Sequence, residues 1–258
     1  MCLIGLQWRS PHYRLRLAAN RDEFHDRPTA AADWWPPEAS GEVAIFGGRD
    51  LQAGGGWLAC TPEGRFAAVT NVRGSPPTGQ QYSRGSLVST FLGGRRSPED
   101  FLAALAAEAA HYAGFNLLVS DGHRCCYASN TPTWHWRHLS PGVHVVSNAD
   151  LDTPWPKTER LRAALEADGD DAALFRALAD EQAADDHALP DTGVGREMER
   201  FLSPPFIRGR HYGTRASTIV SWTGDGPIAF EERRFAADGV PTGRTHTLVR
   251  RSNDGDTS

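Results

Sequence analysis

Cys2 is the residue of this chain whose position most directly suggests a reaction. Removal of Met1 would leave a first residue that carries both a thiol and a free α-amino group. An α-amine has a pKa of about 7.7–8.0, so it can accept the thiol proton without a separate histidine base. The sequence therefore predicts an N-terminal nucleophile at Cys2. The alternative is a small, buried core cysteine in an apolar first strand.

A polar cluster follows the second apolar run of the chain and consists of Asn20, Arg21, Asp22 and Glu23. Cys2–Trp8 and Arg14–Asn20 could form a hairpin. Antiparallel pairing would then place the end of the second strand beside the start of the first, so that the cluster faces the thiol. A guanidinium could hold a thiolate and bind a carboxylate or carbonyl oxygen, while an acid could anchor the α-ammonium or orient the arginine. A solvated, salt-bridged turn is the alternative.

Most of the secondary-structure elements that must position these residues are expected to be short β-strands, because short apolar runs are separated by glycine and proline. We expect strands at Cys2–Trp8, Tyr13–Ala19, Ala44–Phe46, Trp57–Thr61, Phe66–Asn71, Phe115–Ser120, Arg124–Ala128, Trp134–His138, Val143–Ser147, Thr214–Trp222, Ile228–Phe235 and His246–Arg250. The strands between 115 and 147 are expected to be consecutive antiparallel neighbours.

Helices are expected in two places. Ser97 before Pro98 is an N-cap signature and predicts a helix that runs to about residue 112. Leucines at helical spacing predict a helical hairpin over 157–167 and 171–184. Strand blocks that alternate with helix blocks favour an α+β domain of antiparallel sheets covered by helices. We expect one domain over residues 1–251 and a disordered C-terminal tail over 252–258.

Composition narrows the class of protein. The chain has 258 residues, is 40% hydrophobic and 23% charged, and has a net charge of −5, which disfavours nucleic acid as a partner. Lys157 is the only lysine among 27 basic residues, a bias typical of a GC-rich, bacterial genome. No apolar run approaches a membrane span or a signal peptide, so a cytoplasmic location is expected. The four cysteines lack CxxC spacing, so neither a metal site nor a disulfide is predicted.

Several ordered motifs resemble one known family. They are MCLIGLQW at the start, LAANRDEFHDRP at 17–28, GGGWLAC at 54–60, VTN at 69–71, GFNLL at 114–118, VSNADLDTPWPK at 146–157 and YGTRASTIV at 212–220. Their order and spacing resemble the NRDE family, the transport-and-Golgi-organisation type of protein. The resemblance covers roughly residues 1–235.

This resemblance implies an N-terminal-nucleophile (Ntn) hydrolase-like fold, a four-layer αββα sandwich similar to that of cysteine-dependent amidases of conjugated bile acids and penicillin V. In those amidases an arginine and an acid follow the nucleophile one strand later, with the acid three residues after the arginine. Here Asn20 and Glu23 have that interval while Arg21 and Asp22 are adjacent, so the roles within the cluster stay open.

The same resemblance implies an oxyanion hole built by asparagines and a late arginine that supports the thiol. Asn71 is a candidate donor because a side-chain amide can point at a developing oxygen charge without being charged itself. Asn116 and Asn148 compete for that role, and each asparagine could instead be a structural hydrogen-bond anchor. Arg215 resembles the late arginine, with a surface arginine as the alternative.

Two functions therefore follow from the sequence. The first is a Cys2-dependent hydrolase that cleaves the C–N bond of a small amide and requires no cofactor. The second, also implied by the family, is a non-enzymatic carrier of a small-molecule ligand, with haem as the prime candidate. One face of the expected strand carries Trp134, Trp136 and His138, and the other carries His135 and Arg137. The tryptophans could form aromatic walls for a haem, a histidine could be its axial ligand, and the arginine could pair with a propionate. An aromatic edge strand explains the same residues.

Overall fold

The computed structural model describes residues 2–74 and 82–250. In this part of the chain the strands are, in chain order, β1 (Cys2–Trp8), β2 (Leu15–Phe24), β3 (Thr29–Trp34), β4 (Phe46–Asp50), β5 (Gly56–Cys60), β6 (Phe66–Asn71), β7 (Phe115–Ser120), β8 (Cys125–Ser129), β9 (His135–His138), β10 (Gly142–Val146), β11 (Tyr212–Trp222), β12 (Ile228–Phe235) and β13 (Pro241–Val249). The α-helices are α1 (Pro37–Ser40), α2 (Gly85–Gly93), α3 (Pro98–Leu105), α4 (Pro156–Glu166), α5 (Asp171–Leu178) and α6 (Arg196–Phe201). The expected tail, 252–258, lies outside the described residues.

Two antiparallel sheets form the centre of the protein. The first sheet has six strands in the order β10-β1-β2-β11-β12-β13, and the second has seven in the order β3-β4-β5-β6-β7-β8-β9. Alternate residues of each strand point into the space between the sheets, where Leu6, Leu17, Phe66, Leu118 and Phe230 pack together. This inter-sheet core ends at Cys2, the first residue of β1.

Helices cover the outer face of each sheet. Leu161 and Leu165 of α4 and Leu174 of α5 pack on Leu3 and Ala18 of the first sheet. Side chains of α2 and α3 pack in the same way on Leu117 and Val119 of the second sheet. The expected α+β class and the four-layer αββα sandwich are therefore confirmed. Within the described ranges, no helix has the length and apolar character needed to cross a bilayer.

The β1–β2 hairpin confirms the pairing expected around Cys2, because Cys2 lies opposite Arg21. The second strand, however, continues to Phe24 instead of ending at Asn20. The polar cluster therefore lies inside a strand, and its side chains alternate between the two faces of the first sheet. This correction decides which members of the cluster can reach the thiol.

Several other boundaries also differ from expectation. β10 leaves the β7–β9 meander and pairs with β1 in the other sheet, so the strands between 115 and 147 are not all consecutive neighbours. The helix that begins after Ser97 ends at Leu105, and Asn130 binds the carbonyl oxygens of Ala109 and Tyr112 in the turns beyond it. The second helix of the hairpin ends at Leu178, not 184.

Candidate active site

A cleft of about 320 Å³ opens where the first residue of β1 meets the ends of β2, β5 and β6. It contains a thiol, three guanidinium groups, three carboxylates and an amide, which come from Cys2, Arg21, Asp22, Glu23, Arg27, Asp50, Asn71 and Arg84. Trp57, Thr70, Tyr82 and Ser83 complete much of the remaining wall. The cleft is therefore strongly polar at one end of an otherwise apolar inter-sheet core.

Cys2 lies at the inner end of this cleft with 9% of its surface exposed. Its backbone carbonyl accepts a hydrogen bond from the Ser147 hydroxyl at 3.0 Å, which ties the start of β1 to the end of β10. Burial raises the pKa of the thiol, with the nearby charges of Asp22 and Glu23 adding to the rise and that of Arg21 opposing it. The resting thiol is therefore protonated at neutral pH, and nucleophilic attack needs a base.

Arg21 is held beside Cys2 by contacts on several sides. Its guanidinium lies 4.4 Å from the ring centroid of Trp57, a cation–π contact. It also donates to Thr29 Oγ1 at 3.2 Å and lies 3.5 Å from Asp50 Oδ2. These contacts fix a positive charge in the cleft that Cys2 also lines.

A second group of charges forms the rim of the cleft. Arg27 Nε lies 2.6 Å from Asp50 Oδ2, and Glu23 Oε2 lies 3.8 Å from Arg27 Nε and 3.9 Å from Arg21 Nη2. Burial acts to raise the pKa of Asp50, but the hydrogen bonds from Arg27 and from the backbone N–H of Ala53, together with the charges of Arg27 and Arg21, outweigh it and lower the net pKa from 3.8. Asp50 thus stays ionised and keeps both arginines directed along the rim.

Asp22 also lines the cleft, but its side chain lies on the face of β2 opposite to that of its neighbour Arg21. Its Oδ1 accepts a hydrogen bond from Thr214 Oγ1 at 2.7 Å. Burial raises the pKa of this carboxyl, against the opposing charges of Lys157 and Arg73. Burial also lowers the pKa of Lys157 to about 8, and its Nζ donates to the carbonyl oxygen of Leu202 at 3.0 Å. A buried charge network therefore lies behind Cys2, which the sequence analysis did not identify.

Asn71 ends β6 and is the asparagine that reaches the cleft. Asn148 Nδ2 donates to both Oδ1 and the backbone oxygen of Asn71, each at 3.0 Å. This arrangement fixes the orientation of the Asn71 amide. Its Nδ2 has no acceptor among the described residues, so the amide group retains its donors for a ligand in the cleft.

Asn116 and Asn148 do not line the cleft. Asn116 Nδ2 donates to Thr70 Oγ1 and to the carbonyl oxygens of Ser147 and Ala149, while its Oδ1 accepts from the Tyr127 hydroxyl. The structure therefore places Asn116 as an anchor between the two sheets, the alternative that the sequence left open. Asn148 acts on the cleft only through Asn71.

Asn20 points away from Cys2 because the continuing strand turns its side chain toward α5. Its amide donates to the carbonyl oxygens of Leu178 and Pro205, and its Oδ1 accepts from Ser217. Its predicted place among the groups around the thiol is therefore corrected.

Arg215 lies at a β-bulge of β11 and is also outside the cleft at Cys2. Its Nη1 donates to the carbonyl oxygens of Phe24 and Arg27 at 3.1 and 2.6 Å. A bulge redirects a side chain relative to its strand neighbours, and here it directs the guanidinium to the turn that carries Arg27. Arg215 therefore supports the β2–β3 turn and does not contact the thiol.

Arg84 is the cleft residue that sequence reasoning missed most clearly. It precedes α2, donates to the carbonyl oxygen of Gly114 at 3.2 Å, and lies close enough to Cys2 for their charges to interact. Burial lowers its pKa, and a thiolate at Cys2 would raise it. α2 itself was not predicted, because its sequence GSLVSTFLG begins and ends with glycine and contains β-branched residues.

The residues considered for haem lie on and beside β9, apart from the cleft. Trp134 and Trp136 pack on the outer core of the second sheet, while His135 contacts Tyr127 on the other face. As expected, the tryptophans and His135 lie on opposite faces of this strand. Haem carriage itself stays a prediction.

Comparison with known proteins identifies the family. The model of the family described as Transport and Golgi organisation 2 matches residues 1–237. The Transport and Golgi organization protein 2 homolog of Homo sapiens is 36% identical over 247 residues, which cover 86% of each chain. The Bos taurus homolog is 35% identical with the same coverage, and the Mus musculus homolog is 31% identical over 91% of each chain.

Solved structures of two hydrolases share the fold. The Caenorhabditis elegans N-acylethanolamine-hydrolyzing acid amidase ortholog superimposes with a TM-score of 0.50 at 11% identity, covering 86% of this chain and 92% of that one. The C2A mutant of conjugated bile acid hydrolase from Clostridium perfringens gives 0.50 at 9% identity, covering 89% and 88%. At these identities the likeness concerns the fold alone. From the family match and the identity to its animal relatives, this chain belongs to the Transport and Golgi organisation 2 family.

Proposed function

We propose that this protein is an Ntn hydrolase that cleaves the C–N bond of a small amide through a covalent intermediate on Cys2. The proposal rests on one observation: the same cleft, at the start of β1, is lined by Cys2, Arg21, Asn71 and Arg84. A nucleophile, a fixed positive charge and an oriented amide donor are the groups that acyl transfer needs. The solved neighbours are by name an acid amidase and a conjugated bile acid hydrolase, and their names support a hydrolytic reaction.

The reaction begins after removal of Met1. The α-amine of Cys2 takes the thiol proton, and the sulfur attacks the substrate carbonyl carbon. The proton then passes to the leaving nitrogen, the C–N bond breaks, and a thioester remains on Cys2. Water, deprotonated by the same amine, attacks the thioester and releases the carboxylic acid, which restores the thiol.

Asn71 stabilises the negative oxygen that develops in both steps. Asn71 lines the cleft, and Asn148 holds its Oδ1, so its amide N–H groups need little reorganisation when the charge forms. The guanidinium groups of Arg21 and Arg84 favour the thiolate electrostatically and so act against the burial that raises its pKa.

The test is amine release from a panel of small amides. We expect turnover by the wild type, a loss of more than about 10³-fold in Cys2→Ala, and a loss of about 10²–10³-fold in Asn71→Ala. A chain with one extra residue before Cys2 is the matched control, because it keeps the thiol but removes the α-amine next to it. Turnover that survives in Cys2→Ala would overturn the proposal. Undiminished turnover by the extended chain would overturn the role of the amine.

A further inference from the structure

Three side chains that can ligate a metal converge on the outer side of the second sheet, away from the cleft. Cys126 of β8 and His138 of β9 are direct cross-strand partners. Their Sγ and Nδ1 atoms lie 3.6 Å apart. Glu99, in the first turn of α3, places Oε1 3.7 Å from the Nε2 of His138.

The three residues form one cluster and not a chain of pairs. One ligand atom from each, the thiol sulfur, an imidazole nitrogen and a carboxylate oxygen, lie within 4.8 Å of one another. The other Glu99 oxygen, Oε2, is shielded from solvent and accepts no hydrogen bond from another described residue. The packing of α3 on β8 and β9 therefore brings together three different kinds of metal ligand. The spacing of these residues along the sequence fits no metal-binding motif.

We propose that Glu99, Cys126 and His138 bind a divalent transition-metal ion, with Zn²⁺ as the best fit. Thiolate, imidazole and carboxylate are the side-chain ligands of zinc, and three protein ligands with an open fourth position form a familiar arrangement for this ion. Mg²⁺ and Ca²⁺ prefer oxygen ligands throughout, so a thiol disfavours them.

The distance between the thiol and the imidazole suits a tetrahedral ion. Bond lengths of about 2.0–2.3 Å place neighbouring ligand atoms roughly 3.3–3.6 Å apart. The separation between Cys126 Sγ and His138 Nδ1 already matches this. Glu99 Oε1 approaches the other ring nitrogen, Nε2, so its side chain has to rotate toward Nδ1 for one ion to bind all three groups. Cys126 is fully buried, but His138 is largely exposed and gives the ion a path to the thiol.

Arg124 is the competitor for this site. Its Nη1 lies 3.0 Å from Glu99 Oε1, and its side chain is 55% exposed. Without an ion, Arg124 neutralises the carboxylate; with one, the guanidinium must turn toward solvent and leave the fourth position to water. This arrangement makes a specific prediction, since removal of the arginine charge should tighten metal binding.

The cluster is independent of the proposed hydrolase site, because none of its three residues lines the cleft at Cys2. A bound ion would join the start of α3 to β8 and β9. The metal would therefore stabilise the helix layer on the second sheet and would not take part in the reaction at Cys2.

Cobalt provides the direct test, since a thiolate bound to Co²⁺ gives a sulfur-to-metal charge-transfer band. Metal-free protein is titrated with Co²⁺ and then with Zn²⁺. We expect one ion per chain, the charge-transfer band, and displacement of cobalt by zinc. Cys126→Ser should abolish the band, and Glu99→Gln should weaken binding by more than about tenfold, since even outer-shell partners contribute about that much. Arg124→Gln should bind more tightly than the wild type.

Matched controls are available on the same strands. Cys125→Ser removes the adjacent thiol, which faces the inter-sheet core, and His135→Ala removes a histidine of the same strand that faces Tyr127. Neither should change the affinity. If Cys126→Ser does not fold, His138→Ala replaces it, since that side chain is largely exposed. Binding without a charge-transfer band, or affinity that is lost in the controls and kept in His138→Ala, would overturn the proposal.

Discussion

Replacement of Asn116 distinguishes an asparagine that anchors the fold from Asn71, the proposed oxyanion donor. Asn116→Ala removes the amide that joins β7 to the segment after β10. The carbonyl oxygen of Ser147 keeps its bond from Thr70 Oγ1 at 2.7 Å, and the Tyr127 hydroxyl keeps Asp150 at 2.6 Å. The carbonyl oxygen of Ala149 loses the bond that Asn116 donates, which costs about 1–3 kcal/mol. With the small cavity added, we expect the free energy of unfolding to fall by about 2–4 kcal/mol.

Asn71→Ala is the matched comparison. It removes one hydrogen bond, and Asn148 Nδ2 keeps its bond to the backbone oxygen of Asn71. The expected loss is about 1 kcal/mol or less. Urea unfolding followed by the fluorescence of the eight tryptophans measures both values. If Asn71→Ala is destabilised as much as Asn116→Ala, Asn71 is a structural anchor and the assignment of the two residues is refuted.

Two further predictions concern packing and pH. Gly5→Ala should destabilise the protein by about 1–3 kcal/mol, because a Cβ there would lie 2.5 Å from Leu165 Cδ1 and 2.9 Å from Leu161. At Gly93 a Cβ would have nothing nearer than 3.9 Å, so Gly93→Ala should change the free energy of unfolding by less than about 0.5 kcal/mol. Equal effects of the two substitutions in thermal or urea unfolding would contradict this packing. The hydrogen bond to Asp152, 3.0 Å away, raises the pKa of His144 above 6.5. The pKa of Asp152 falls to about 2, because its hydrogen bonds from His144, the Val145 backbone and Arg162 and the charge of His144 together outweigh burial. The pair therefore stabilises the fold most between pH 3.8 and 6.5. The stability difference between wild type and His144→Gln should shrink as pH rises through the folded pKa of His144, and again as pH falls toward 2; a difference that does not vary with pH would contradict it.

The sequence predicted the parts of the fold that depend on local patterns. Strands such as Cys2–Trp8, Phe66–Asn71 and Ile228–Phe235 have the predicted bounds because apolar runs end at clear turn signals. The strand β3, Thr29–Trp34, was not predicted, since its burial comes from contacts with distant segments, including the bond from Ala32 N to Glu232. Edge strands of this kind carry a weak local signal.

The site could be predicted only as far as strand pairing follows from sequence. Cys2 and Arg21 are neighbours because one hairpin joins them. The direction of Asn20 depends on how far β2 continues, and the position of Arg84 depends on a helix that local propensity does not favour. The cluster of Glu99, Cys126 and His138 depends on the register of β8 and β9 and on where α3 packs, which linear spacing cannot give.

The most direct test of an N-terminal nucleophile at Cys2 is the intact mass of the native-terminus protein before and after a limiting dose of a thiol alkylator, with peptide mapping of the label. We expect Met1 to be absent and Cys2, which lines the cleft, to be labelled before Cys60, Cys125 and Cys126, which are buried in the cores. Retention of Met1, or labelling of another cysteine before Cys2, would contradict an N-terminal nucleophile at this site.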